Sequence, residues 1–257
     1  MITKLRRKTL TLLAPVALLS CAAPAVYNSQ TGQVNIDSAS PAIQQQGAQA
    51  FEQYKRTKRI SNNSSARARV YRVANRLQRV VPIPGSRWDF EVFEDNSANA
   101  FALPGGHVGI NTGLLRVAQT DDQLAAVVAH EMAHVTSNHA ERRLQTTNTI
   151  NTIGSIAAQV LTRGQGGNPN LERAAGLATV ALGRSFSRSQ ELQADKVGML
   201  FMAKAGYQPE GAIQLWQNMA QASGSARVPE FLSTHPVSST RIRELQAFLP
   251  EAKRAQR

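Results

Sequence analysis

Between Asp121 and His139 the apolar residues Leu124, Val127, Val128, Met132 and Val135 recur at helical spacing, and Glu131 falls inside that stripe. A carboxylate buried in a core is costly unless something compensates it. Any fold of this chain must therefore supply that compensation around Glu131, and its neighbours suggest how. His130 and His134 lie one turn apart, about 40° around a helix axis, so both imidazoles can reach one metal ion. Zinc suits such borderline ligands and brings no redox chemistry. Glu131 lies about 60° around from His134, beside such a metal without needing to bind it. That is where a general base for the attacking water belongs. With five His in 257 residues, random order gives this His-Glu-x-x-His run roughly 0.004 times. The competing reading is a surface helix with satisfied histidines.

A catalytic zinc usually has three protein ligands and one open position. Ser137 and Ala140 stand where the metzincin pattern needs Gly and His, so that class is excluded. On a regular helix His139 is about 140° from His134, which makes it an exposed or supporting residue. The best third ligand is Glu191. Residues 189–204 read as a helix on which Glu191 and Asp195 share a face at i, i+4. Asp195 would take the ring N–H of a ligand histidine and fix its tautomer.

These residues resemble a known family. His130 to His134, with Glu191-Leu192-Gln193-Ala194-Asp195 downstream, is similar to the gluzincin metallopeptidase family of HtpX and the CAAX prenyl protease. Asn99 to Gly106, Gly113-Leu114-Leu115, and Thr234-His235-Pro236 with Arg241-Ile242 match further segments, together covering about residues 42–248. The resemblance implies a zinc metalloendopeptidase with one Zn²⁺ per chain, held by His130, His134 and Glu191, with Glu131 as base. His235, with Arg241, would stabilise the tetrahedral oxyanion. Alternatively His235 would ligate zinc in a resting state and inhibit the enzyme. The implied fold is α+β and predominantly helical, zincin-like, with a small β-sheet. The branch resembled is that of the periplasmic lipoproteins similar to BepA and LoiP, without the C-terminal repeat helices of BepA-like members.

The rest of the chain sets the expected context. Lys4, Arg6, Arg7 and Lys8 precede a short apolar run from Leu10 to Leu19, the layout of a signal peptide over residues 1–20. Cys21, the chain's single cysteine, falls where a bacterial lipobox needs it, and Ala22 then implies sorting to the outer membrane. A lipid on Cys21 would anchor the protein on the periplasmic side of that membrane without a spanning helix. Residues 21–40 read as a flexible tether, 41–249 as the metallopeptidase domain and 250–257 as a basic tail. Loss of the leader lowers the net charge from +12 to +8. Aromatics are only 5% and no nucleic-acid motif occurs, so the basic surface is expected to face anionic envelope components and not nucleic acid.

Helical spacing covers 42–57 and 65–81, and Trp88, Phe90 and Val92 alternate like a strand. Asn99 to Ile110 reads as a strand pair broken at Pro104-Gly105-Gly106. An edge strand at His107, Val108, Gly109, Ile110 and Asn111 is expected to pair with an extended peptide, with His107 exposed. Residues 150–181 are a candidate lid. The expected substrates are envelope polypeptides, including misfolded outer-membrane proteins. Two rival functions are a non-catalytic zinc-bound holdase for such proteins, and a structural lipoprotein in which the metal motif is accidental.

Overall fold

The computed structural model describes residues 27–28, 33–146, 185–223, 230–236 and 238–256. The leader, Cys21 and the candidate lid lie outside these residues. A short hairpin, β1 (Tyr27–Asn28) and β2 (Gln33–Val34), precedes α1 (Pro41–Thr57) and α2 (Ser64–Gln78). Then come β3 (Asp89–Phe93), β4 (Ala100–Leu103), β5 (His107–Asn111), a 3-10 turn (Thr112–Arg116), α3 (Asp121–Thr136) and α4 (His139–Thr146). After residue 185 follow α5 (Arg188–Lys204), α6 (Glu210–Ser223), the single turn α7 (Phe231–Thr234) and α8 (Ser239–Arg254). The expected helical α+β architecture with a small sheet is the one found. No described helix is long and apolar enough to cross a membrane.

Helix α3 is the centre of the molecule. Thr120 and Gln123 form a reciprocal capping box, and Asp121 and Asp122 place negative charge on its first turn. Every residue from Gln123 to Thr136 is buried. Such a helix has to be enclosed on all sides. Here α2, α5, α6 and β4 surround it. The main core joins Val70, Val73 and Leu77 of α2 to Leu124, Val128 and Met132 of α3 and Leu200 of α5.

The three-stranded sheet has the order β3-β5-β4, with β3 parallel and β4 antiparallel to β5. Ala102 and Phe90 both pair with Val108. Gly105 and Gly106 make the β4–β5 turn at φ +91° and +92°, a region that favours glycine. A second core of Phe51, Phe93, Phe101 and Leu103, with Tyr54 against it, fixes α1 over the sheet.

Two expected boundaries differ. The described part of the 21–40 segment is docked, not a free tether. Asp37 N–H donates to the Thr136 carbonyl at 2.8 Å, satisfying a free acceptor at the end of α3. The Ser40 N–H and hydroxyl both donate to Glu141, at 2.9 and 2.8 Å. The tail at 250–257 is no separate element either. Helix α8 continues through Pro250 to Arg254, because Leu245, Phe248 and Ala252 bury one helical face.

Candidate metal centre and catalytic cleft

Three elements bring the site together. Helix α3 supplies His130, Glu131 and His134. Helix α5, begun by a capping box between Ser187 and Gln190, supplies Glu191 and Asp195. The turn α7 ends at His235, whose N–H donates to the Phe231 carbonyl at 2.9 Å. All six side chains are buried.

Four donors converge. His130 Nε2 lies 3.0 Å from His134 Nε2 and 3.2 Å from His235 Nδ1. Glu191 Oε2 is 3.5 Å from His130 Nε2, and Oε1 is 3.6 Å from His134 Nε2 and 2.9 Å from His235 Nδ1. One ligand atom from each of these residues lies within 4.8 Å of the others. Three imidazole nitrogens and a carboxylate facing one another in a buried space could hold a cation between them. Nitrogen and oxygen donors in this number suit zinc. His235, expected as a donor to substrate, thus also fits as a fourth ligand.

The outer sides of these ligands are held in turn. His130 Nδ1 is 2.9 Å from Asp195 Oδ1. Trp216 Nε1–H donates to the same oxygen at 3.2 Å. Arg241 corrects an expectation. Its guanidinium spans Asp195 and Glu191, with Nη2 2.9 Å from Asp195 Oδ1 and Nη1 2.8 Å from Glu191 Oε2, and lies 3.7 Å over the Trp216 ring. It stands behind the ligands, committed to two carboxylates, and not over the cleft where an oxyanion would form. Trp216 and Phe186 carried no spacing signal. Phe186 stacks on His134 with ring centroids 3.9 Å apart and forms part of the cleft wall.

The charges follow from this packing. Burial opposes ionisation of Glu191 and Asp195. Even so, His235 and His130 hold Glu191, and Arg241 and His130 hold Asp195, below the ordinary carboxylate range. Burial would lower His130 too, but Asp195 and Glu191 outweigh it and raise the ring to about 9. The charged groups facing Glu131, chiefly His235 and His130, offset its burial only in part. Burial pushes its carboxyl up, and its Oε1 is 3.4 Å from His235 Nε2 without a hydrogen bond. A carboxylate held next to the donor cluster but outside it is free to handle protons.

Two further expectations, the β5 edge and the exposed His107, are corrected, and of the two places expected for His139 the supporting one is found. Strand β5, with His107, Val108, Gly109, Ile110 and Asn111, is the middle strand and not an edge. Both its sides are already paired, so no peptide can add there. Its neighbour β4 is the edge, and Asn99, Ala100, Phe101 and Ala102 line a cleft with Glu131, Thr234 and His235. His107 is half-buried against Phe51, 3.6 Å from Asp89, not exposed. His139 is fully buried, with Nδ1 2.8 Å from His134 Nδ1. The 140° separation assumed one continuous helix. Instead α3 ends at Thr136, and Asn138 at φ 54° turns the chain so that His139 folds back.

Comparison with known proteins agrees with this geometry. The pattern of Peptidase family M48 matches residues 64–249. The chain is 35% identical over 185 residues to "Mitochondrial metalloendopeptidase OMA1" of Schizosaccharomyces pombe, covering 70% of this chain and 53% of that protein. It is 31% identical over 161 residues to "Beta-barrel assembly-enhancing protease" of Escherichia coli, covering 60% of this chain and 32% of that protein. A "Putative beta-barrel assembly-enhancing protease" of Vibrio cholerae is 35% identical over 160 residues, covering 60% and 33%. The matched stretch spans from about half to a third of these relatives' lengths.

Proposed function

Because the chain belongs to peptidase family M48 and is a zinc-dependent metalloprotease, we propose that it cleaves polypeptides of the cell envelope, with Glu131 as the general base. The observation that carries this reading is the position of Glu131: buried, beside four convergent donors, without a hydrogen bond at Oε1, and facing the cleft along β4. A site that only stabilised the fold would need no such spare carboxylate.

His130, His134 and Glu191 would hold the zinc. When bound, it makes water acidic near neutral pH and polarises the scissile carbonyl. An extended peptide would lie antiparallel or parallel to the free edge of β4, its backbone satisfied by Ala100 to Ala102. Glu131 takes the proton from the attacking water and returns it to the leaving amine. His235 has two positions in this reading. In the closed arrangement described here it completes the donor set. For turnover it withdraws its Nδ1 and offers an N–H to the oxyanion. Arg241 is not the oxyanion donor in this reading. It holds Asp195 and Glu191 in place. A cavity of about 500 Å³ lined by Arg188, Glu191, Leu192, Pro236 and Arg241 gives room for substrate side chains.

The location rests on the leader pattern, on Cys21 and on the bacterial relatives. The protein is lipid-anchored at the periplasmic side of the outer membrane, with misfolded outer-membrane proteins among its substrates. Labelled palmitate should enter the wild type and not Cys21→Ser. Purified protein should bind about one zinc per chain, and Glu191→Ala should lose it. Full zinc retention in Glu191→Ala would remove Glu191 from the ligand set. Zinc affinity in His235→Ala tests the closed arrangement, since a fourth ligand lost must weaken binding. A holdase on the same scaffold would keep its activity in Glu131→Gln.

A further inference from the structure

The sequence provides a tautomer lock for one ligand histidine, Asp195 behind His130. Nothing comparable is evident for His134, whose Nδ1 points away from the donor cluster. The structure fills that place with another imidazole. His139 Nδ1 is 2.8 Å from His134 Nδ1, and His139 Nε2 is 2.8 Å from Gln193 Oε1. The Gln190 side chain donates to the His139 carbonyl at 3.4 Å, tying the backbone of this residue to α5. His139 is fully buried, and its ring also packs near Phe186, with centroids 6.0 Å apart.

We propose that Gln193 and His139 form a proton-ordered relay that fixes the tautomer of His134 and so presents its Nε2 lone pair to zinc. The order follows from counting protons. Two ring nitrogens 2.8 Å apart share one hydrogen. Metal binding at His134 Nε2 requires the His134 proton on Nδ1. His139 must then accept at Nδ1, so the neutral His139 ring carries its proton on Nε2. That N–H needs an acceptor, and Gln193 Oε1 is at the right distance. The reverse order would place a proton on His134 Nε2, 3.0 Å from His130 Nε2, and shut the metal out.

Asp195 is acceptor-only and sets its histidine outright. An imidazole can run either way, and so can a glutamine amide, but Gln193 presents its acceptor Oε1 to His139 Nε2, and that orientation sets the direction on this side. Helix α5 would thus control the whole centre from alternate residues. Glu191 binds the metal, Asp195 orders His130, and Gln193 orders His134 through His139. His139 and Gln193 are positioning residues. Neither reaches substrate.

The inference rests on the zinc site proposed above, and the test separates the two. Zinc affinity is measured by chelator competition on the full chain for wild type, His139→Leu, Gln193→Met and Gln193→Glu. Loss of a partner behind a ligand histidine typically lowers metal affinity about 10–100-fold. Such a loss is expected for His139→Leu and for Gln193→Met, which keeps the length of glutamine without a good acceptor. Gln193→Glu, which keeps the acceptor, should match or exceed wild type. A packing role alone would not favour Glu over Met. Nitrogen chemical shifts of the His134 ring in the zinc-free protein give a second readout. They should report Nδ1–H in wild type and Gln193→Glu, and a mixture of tautomers in Gln193→Met. If His139→Leu fails to fold, the half-buried position 193 still decides. Equal zinc affinity in Gln193→Met and wild type overturns the relay. Absence of zinc from wild type overturns the metal site itself.

Discussion

Helices α3 and α5 carry the proposed metal ligands His130, His134 and Glu191, and they meet backbone to backbone at Gly198. A Cβ placed there would lie 3.1 Å from His130 N and 3.3 Å from both Ala129 C and His130 Cα. Ordinary carbon contacts are near 3.5–4.0 Å. All three atoms are main chain, so no side chain can rotate away, and α3 and α5 must separate by a few tenths of an ångström. Overpacking of this kind costs about 1–3 kcal/mol, while Ala in place of Gly in a helix returns about 1 kcal/mol. Gly198→Ala should therefore lose between about 0 and 2 kcal/mol, a Tm drop of at most several degrees for a domain this size. The effect on the site should be larger than the effect on stability. The strain falls on the backbone of His130, and it stretches the 2.9 Å approach to Asp195 and the 3.5 Å approach to Glu191. A zinc affinity about tenfold below wild type is expected, at the lower end of losses from disturbed support of a ligand. Chelator competition and thermal melts of the zinc-free and zinc-loaded forms measure both quantities. Wild-type zinc affinity together with a raised Tm would refute the reasoning, because the helix gain would then have appeared without the clash.

Other outcomes follow from the same packing. Arg241→Met should destabilise the zinc-free protein by about 3–5 kcal/mol in denaturant titration, because Asp195 and Glu191 remain buried with their cation gone. Phe51→Ala should cost about 3–5 kcal/mol by cavity formation, yet leave zinc affinity unchanged in the folded fraction, since the small core under α1 does not touch the ligands. Chelation should lower the Tm reversibly: at free zinc 1,000 times Kd the bound metal adds about 4 kcal/mol, and readdition should restore it.

Much of the centre was legible because its chemistry imposes spacing. Two histidines one turn apart, with a glutamate inside the apolar stripe, fixed both the helix and its burial. The pair Glu191 and Asp195 was readable for the same reason. What could not be read depends on long-range pairing or on helix ends. The place of β5 in the sheet depends on which strands pair beside it, and the burial of its faces at Val108, Gly109 and Ile110 does not fix that. The role of Arg241 required knowing that α8 packs against α5 and brings its guanidinium onto two carboxylates. Whether His139 is exposed or supports a ligand depends on where α3 stops, at Thr136, which helical spacing does not reveal. Trp216 and Phe186 meet the site only through tertiary packing, which no local pattern announces.

In the proposed function Glu131 performs the chemistry and does not hold the metal. The most direct test is casein cleavage by wild type and Glu131→Gln at matched zinc content. The expected result is full zinc occupancy in both and no detectable turnover in the variant. Cleavage by Glu131→Gln near the wild-type rate would contradict the account and move the base to another residue.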